Sequence, residues 1–336
     1  MSGVGYRING QCRASLKRVL FKTLQNLLCK RNDFQTIFII MLNNFSKMFH
    51  LTALWNCTFV SYYNYMKKVF IVVAFAFLLL SCSSNGNESD GNGNAEISAN
   101  PAPAMVSYSV VNVFPHDTSA FTEGLFVHEG QLYESTGGQP KSNDFKSWFG
   151  AVDIKTGVYK KKIMLDTSYF GEGINILKDK LYQLTWQSHI GFVYDAKTLK
   201  KIKEFPIAGE GWALTNDGVN LIMSNGSSNL QYLDPETLKV LKILGVQDNN
   251  GPVSNINELE FIKGYIYANQ YLTSNILKID PASGRVVGKL DFTSLDNELK
   301  AKHPEALEMN GIAYDSAANK IYITGKAWPS LYEVRF

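Results

Sequence analysis

Cysteine is scarce in this chain, and absent from most of it. The four cysteines stand at positions 12, 29, 57 and 82, and none follows Cys82. Disulfides, thiolate nucleophiles and cysteine-ligated metals are therefore excluded from everything beyond that point. Basic charge is short there too. The formal net charge is +3, yet residues 1–82 hold ten Lys and Arg against one acidic residue, leaving 23 basic against 29 acidic residues beyond. A mildly acidic body gives no support for nucleic-acid binding. His116, His128, His189 and His303 show no metal-ligand spacing and read as surface or loop residues. A nucleophile-elbow serine, a phosphate-binding glycine loop and a dinucleotide fingerprint are all lacking.

Val69 to Leu80 is an apolar run, but it falls short of the roughly 20 residues that a membrane-crossing helix needs. It follows Met66-Lys67-Lys68 and leads into Leu79-Leu80-Ser81-Cys82. A basic start, a short apolar run and a small residue before the cut are the parts of a secretory signal. The last four residues resemble a bacterial lipobox, which implies that Cys82 is lipidated and becomes the mature N-terminus. Residues 66–82 are accordingly read as a lipoprotein-type signal peptide, an ordinary cleaved signal being the alternative. A signal must begin a chain, so residues 1–65 are read as a non-native, disordered upstream extension, against a genuine basic extension. Residues 83–105 are rich in Ser, Asn, Gly and Ala, and read as a flexible tether. The expected location is the cell envelope, lipid-anchored on a periplasmic or surface face. Residues 106–336 remain as one folded domain, expected to act as a monomer and large enough for a substantial core.

Within that domain one unit recurs five times. Glu123-Gly124-Leu125 leads to Leu132-Tyr133, Glu172-Gly173-Ile174 to Leu181-Tyr182, and Trp212-Ala213-Leu214 to Leu221-Ile222. Glu258 to Phe261 leads to Ile266-Tyr267, and Asn310-Gly311-Ile312 to Ile321-Tyr322. The starts at 123, 172, 212, 258 and 310 lie 49, 40, 46 and 52 residues apart. A strand-rich period of about 40–50 residues is the mark of propeller blades. Second halves recur as well: an alternating run, then Asp195-Ala196, Asp234-Pro235 or Asp280-Pro281, then a Thr or Ser turn and another alternating run. Four strands per unit predict an all-β, five-bladed propeller. The last unit ends at Phe336 without an outer strand, and Val106–Val113 stands unattached at the other end. That N-terminal strand is expected to complete the fifth blade and close the ring. One helix is predicted from about 294 to 302, and a candidate loop over one face from 137 to 148.

Equivalent positions in a radial repeat share one ring around one axis. The blade starts would present Glu123, Glu172, Trp212, Asn257 or Glu258, and Asn310 at one mouth. Carboxylates converging there repel, so one should hold its proton to unusually high pH, as general acid–base chemistry needs. The structural alternative is that each Glu caps a neighbouring strand while the Gly permits a bulge. Trp186, Tyr271 and the string Thr324 to Pro329 offer aromatic walls, although each aromatic alone reads equally as core. Lys326 could meet an anionic group or a developing oxyanion.

Seven strings together resemble the plant-type, or papaya-type, glutaminyl cyclases. They are Phe114-Pro-His-Asp, Ala120-Phe-Thr-Glu-Gly-Leu125, Phe170-Gly-Glu-Gly, Gln183-Leu-Thr-Trp186, Asn257-Glu-Leu-Glu260, Asn310-Gly-Ile312 and Thr324-Gly-Lys-Ala-Trp-Pro329. The resemblance runs in family order from about residue 107 to the C-terminus. It implies a five-bladed propeller that turns N-terminal glutamine of peptides into pyroglutamate and releases ammonia. It implies a proton-shuttling role for Glu172 and pocket roles for Trp186, Trp212 and Asn257. Phe121 and Phe170, inside two of the motifs, join them, and Lys326 matches the lysine at the channel. Plant members carry Gln where Glu123 stands and Trp where Tyr271 stands. The extra carboxylate at 123 adds charge near Glu172, which leaves open which of the two carries the proton. No cofactor is required by this chemistry, and a structural calcium on the axis stays open. A non-catalytic propeller binding a peptide, sugar or calcium ion at the same mouth, and a hydrolase on the same scaffold, are the competing readings.

Overall fold

Alternating side chains make each repeat a four-stranded antiparallel meander, and five meanders form a β-propeller. The computed structural model describes residues 101–138 and 145–336. The expected signal peptide, Cys82, residues 1–65 and most of the tether lie outside these residues. The inner strands are Thr122–His128, Gly171–Leu177, Leu214–Asn216, Ile256–Ile262 and Met309–Asp315. They are buried along most of their length, and they belong to blades 1 to 5 in chain order. Outer strands such as Lys201–Pro206 and Val240–Gly245 are largely exposed. Lysines on them discourage edge-to-edge pairing with other chains.

Five clusters of buried apolar side chains lie one between each pair of neighbouring blades. Between blades 2 and 3, for example, Tyr182 and Leu184 pack on Leu214 and Leu221. Each large apolar side chain removed from water contributes about 1.5–3 kcal/mol, so the blades are stable only as a ring. Before each outer strand of blades 1 to 4, one aspartate organises the turn. Asp153, Asp195, Asp234 and Asp280 each accept hydrogen bonds from groups two or three residues on. That is the turn chemistry expected from the Asp-Pro and Asp-Ala strings.

The ring closes as expected, with a shift in extent. Ser109–Pro115 pairs antiparallel with Ser330–Arg335 as the outer strand of blade 5. The residues before it do something not anticipated. Ala104–Met105 pairs in parallel with Val286–Asp291, the outer strand of blade 4, and the Val106 N–H donates to the Lys289 carbonyl. The chain thus steps from the edge of one blade to the next. The end of the stretch read as tether is held in a sheet, and the closing strand starts at 109 rather than 106. The helix spans Thr293–Lys302, with Asp296 in its first turn and Lys300 and Lys302 in its last, matching the helix dipole.

Candidate active site

Four inner strands carry a β-bulge at the same height. Pairing register shifts between Thr122 and Gly124, Gly171 and Ile174, Ile256 and Leu259, and Met309 and Ile312. A bulge re-aims the side chain of its extra residue, and the residues at that place are Glu123, Glu172, Asn257 and Asn310. Trp212 stands at the corresponding place just before the short inner strand of blade 3. The next residue in each case faces the axis: Gly124, Gly173, Ala213, Glu258 and Gly311. A Cβ on Gly124 would stand 2.8 Å from the Ile174 nitrogen, and one on Gly173 2.5 Å from the Ala213 Cα. The blades touch there, and only minimal side chains fit.

Four small residues leave room for one long side chain, and Glu258 fills it. Its carboxylate accepts the N–H groups of Leu125, at 3.2 Å, and Ile312, at 2.8 Å. Of the two alternatives for blade 4, Asn257 or Glu258, only the first lies at the mouth. It is Asn257 that matches Glu123 and Glu172, and Glu258 ties blade 4 to blades 1 and 5 across the axis, as the structural alternative proposed. Glu260 works in the same way, accepting the Tyr314 N–H at 2.8 Å and the Thr215 hydroxyl at 3.3 Å. Burial pushes Glu260 up to about 8. Burial and the neighbouring Glu260 push Glu258 well above the carboxylate range. Backbone N–H groups from several blades point at these two side chains, the wrong polarity for a cation's ligand set. They do not fit the structural calcium left open above.

Above the axis lies a cavity of about 380 Å³. Phe121, Phe170, Trp186, Trp212 and Tyr271 wall it, together with Phe145, and Glu123, Glu172, Asn257 and Lys326 supply its polar groups. The expected catalytic and wall residues all line it, whereas Glu258 and Asn310, also expected at the mouth, do not; Cys82 lies outside the described residues. The aromatics are half-buried and touch in sequence. Ring centroids are 6.0 Å apart for Phe121 and Phe170, 5.6 Å for Phe170 and Trp186, and 5.6 Å for Trp212 and Tyr271. Lys326 Nζ lies 4.3 Å from the Phe121 centroid and 5.3 Å from that of Tyr271, a cation–π link between them. Trp328, by contrast, is fully buried core. Asn310 does not line the cavity. Its Nδ2 braces the site, donating to the Thr122 carbonyl at 2.9 Å and to Glu123 at 3.1 Å.

Charge in the floor is unevenly shared. Glu123, Glu172 and Lys326 are 3, 5 and 4% exposed. Lys326 Nζ donates to Glu123 at 2.6 Å. Burial alone would lower the lysine, but Glu123 and Glu172 outweigh it and hold the ammonium charged. Burial lifts Glu123 to about 7 against the pull of Lys326. Burial, then the Glu123 charge, lifts Glu172 well above the ordinary range. One cation cannot neutralise two buried carboxylates, and Lys326 is spent on Glu123.

Neighbouring blades hold these groups in place. Ser135 of blade 1 donates to the Glu172 carbonyl at 2.6 Å, and Ser224 of blade 3 to the Asn257 carbonyl at 2.8 Å. Asn269 of blade 4 accepts the Gly311 N–H at 3.0 Å. Lys326 sits in a turn whose next residue, Ala327, has φ of 56°, a left-handed conformation uncommon for a residue with a Cβ. The Ala327 N–H donates to the Ala120 carbonyl at 2.8 Å, which ties this turn to the Phe121 strand. The Asn257 Oδ1 is buried and has no hydrogen-bond partner among the described residues, so it is placed to accept an N–H from a bound molecule. Two features escaped the sequence reading. Glu210 bonds both tryptophans of the wall, and its only signal was an acidic residue two places before Trp212. His116 is not a surface residue: it is buried in an ion pair with Glu134.

The comparisons with known proteins agree with this fold. The sequence profile of the glutamine cyclotransferase family matches residues 75–336. A glutaminyl-peptide cyclotransferase of Arabidopsis thaliana is 38% identical over 229 residues, covering 67% of this chain and 70% of that protein. The crystal structure of Myxococcus xanthus glutaminyl cyclase matches with a TM-score of 0.64 and 34% identity, over 69% of this chain and 97% of that one. With that profile spanning most of its length and this level of identity, the five-bladed chain belongs to the glutamine cyclotransferase family.

Proposed function

We propose that the chain is a glutaminyl-peptide cyclotransferase that closes N-terminal glutamine to pyroglutamate and releases ammonia. The observation that carries the mechanism is a buried Glu172 that shares the floor of an aromatic pocket with a Lys326–Glu123 pair. In the substrate, the α-amine attacks the carbonyl carbon of its own side chain, so proximity is largely built in. The pocket must hold the curled conformer, and its aromatic walls suit the aliphatic stem. Asn257 Oδ1 is placed to accept a substrate N–H. The charged Lys326 favours the oxyanion of the tetrahedral intermediate. Glu172 then gives its proton to the departing nitrogen, the carbon–nitrogen bond breaks, and ammonia leaves. The resulting carboxylate takes the surplus proton from the new ring nitrogen, which restores the starting state. Glu123 balances Lys326 and, by its charge, keeps the proton on Glu172. These steps use side chains alone.

Incubating the purified domain with a Gln-initiated peptide should yield a product lighter by one ammonia, resistant to N-terminal sequencing. A product with N-terminal glutamate would instead mark a hydrolase, and no turnover of any Gln peptide a binding protein.

We further propose that a lipid on Cys82 holds the domain, as a monomer, in the cell envelope. The lipobox-like Leu79-Leu80-Ser81-Cys82 and the polar stretch after it support this. Cys82→Ser should move the protein from the membrane to the soluble fraction. A variant that stays with the membrane would remove the anchor from the account.

A further inference from the structure

The wall of the pocket is not continuous ring against ring. Contacts run Phe121–Phe170–Trp186 on one side and Trp212–Tyr271 on the other. Lys326 joins one pair of ends, lying over both Phe121 and Tyr271. At the other pair stands Glu210, in the connection between the outer strand of blade 2 and the inner strand of blade 3. One oxygen of Glu210, Oε2, accepts both the Trp186 Nε1–H and the Trp212 Nε1–H, each at 2.9 Å. The other accepts Gln187 Nε2 at 3.2 Å. Glu210 itself does not line the cavity; it grips the two indoles from behind. Burial opposes its charge, but the three side-chain hydrogen bonds outweigh that and keep it ionised. Charge-assisted bonds of this kind are shorter and about twice as strong as neutral ones.

Indole N–H groups can donate only once, and their direction follows the ring plane. Fixing both on one oxygen therefore pins the two N–H edges at a common point, while packing on Phe170 and on Tyr271 limits how each ring can turn about it. Trp186 belongs to blade 2 and Trp212 to blade 3, so the separation of these walls would otherwise follow every shift between blades. We propose that Glu210 is a positioning residue, which sets the width and tilt of the slot between Trp186 and Trp212 and thereby the conformer in which a glutaminyl side chain is held. This rests on the cyclotransferase reading above. The slot is the part of the site that selects the curled substrate, so loosening it costs binding and alignment together.

The test is a pair of variants, assayed for cyclisation of a Gln-initiated peptide and for tryptophan emission. Glu210→Ala frees both indoles and should lower kcat/KM by roughly a hundredfold, the usual cost of a misplacement near 1 Å. Its tryptophan emission should shift, while its melting curve stays that of the wild type. Glu210→Gln keeps an oxygen of the same reach, and should lose less than about tenfold of kcat/KM by that geometry. If Gln costs as much as Ala, charge rather than position is at work and the proposal fails. It fails equally if Glu210→Ala keeps wild-type KM and wild-type emission. A wild-type protein that cyclises nothing would sink the functional reading itself, and this inference with it.

Discussion

Glu172→Gln is expected to lower kcat on Gln-initiated peptides by about 10³-fold, within the usual share of general acid–base catalysis. KM and fold should barely change. The reason lies in the proton. Glu172 is held protonated by burial and by the Glu123 charge, so the resting side chain is neutral. Glutamine has the same shape and the same absence of charge, but it cannot hand a proton to the departing nitrogen. The swap is thus nearly silent for binding and decisive for turnover. A stability signature accompanies it. Folded Glu172 keeps its proton at pH values where the unfolded chain, with an ordinary value of 4.5, has released it. The unfolded state then binds fewer protons, and this group's contribution to stability falls as pH rises above 4.5 toward its folded value. Glutamine does not titrate, so the variant should outlast the wild type in alkaline melting experiments. Wild-type-like turnover in Glu172→Gln would remove this residue from the proton transfer.

Glu134→Ala should cost about 3–5 kcal/mol of stability, the usual consequence of orphaning a buried charge. His116 Nδ1 faces the Trp328 carbonyl at 2.7 Å, and Nε2 faces Glu134 at 3.0 Å. Both partners are acceptors, and only the imidazolium has two N–H donors. Burial opposes that charge on His116, but the Glu134 carboxylate outweighs it and raises the group. Burial likewise opposes the charge on Glu134, and His116, Tyr159 and Thr122 outweigh it. Removing the carboxylate strands the imidazolium and the Tyr159 hydroxyl, and leaves the Thr122 hydroxyl only the Gly325 carbonyl at 3.4 Å. The His116 contribution is complete below its unfolded value of 6.5 and is lost as pH rises through the folded value. The Glu134 contribution is complete above 4.5 and is lost as pH falls through its lowered value. The pair therefore stabilises most between about 4.5 and 6.5. Denaturant titrations at pH 5.5 and pH 9 should show the Ala variant losing more at the lower pH. A loss under about 1 kcal/mol at pH 5.5 would overturn the ion pair. Because Thr122 precedes Glu123 and Trp328 follows Lys326 by two, the same variant should also weaken catalysis.

The blades were legible because their starts recur, and the site because those starts are unequal. Glu123, Glu172 and Trp212 fell in place from the repeat alone. Glu258 did not. Strict alternation through Glu258-Leu-Glu260 reads as one face of a strand, whereas the bulge at Asn257 adds a residue and turns the next one to the axis. Bulges have no sharp signature without a glycine, and blade 4 lacks the one that marks blades 1, 2 and 5. The closing strand was visible as an unattached run, but alternation cannot say which edge a strand joins. That is why the hand-over from blade 4 to blade 5 was missed. His116 and Glu134 stand 18 residues apart, and Glu210 meets Trp186 from 24 away. Such pairings come from the folded ring rather than from any local spacing.

Glu258 makes the propeller a cup instead of a tube. With its side chain across the axis and the blades touching around it, the pocket is given a floor. Solvent cannot arrive from below to reach the tetrahedral carbon while a peptide fills the neck. The attacking amine therefore meets little competition, and a ring rather than a free acid is the product. The side chain that holds three blades together thus also shields the reacting carbon from water on the far side of the ring.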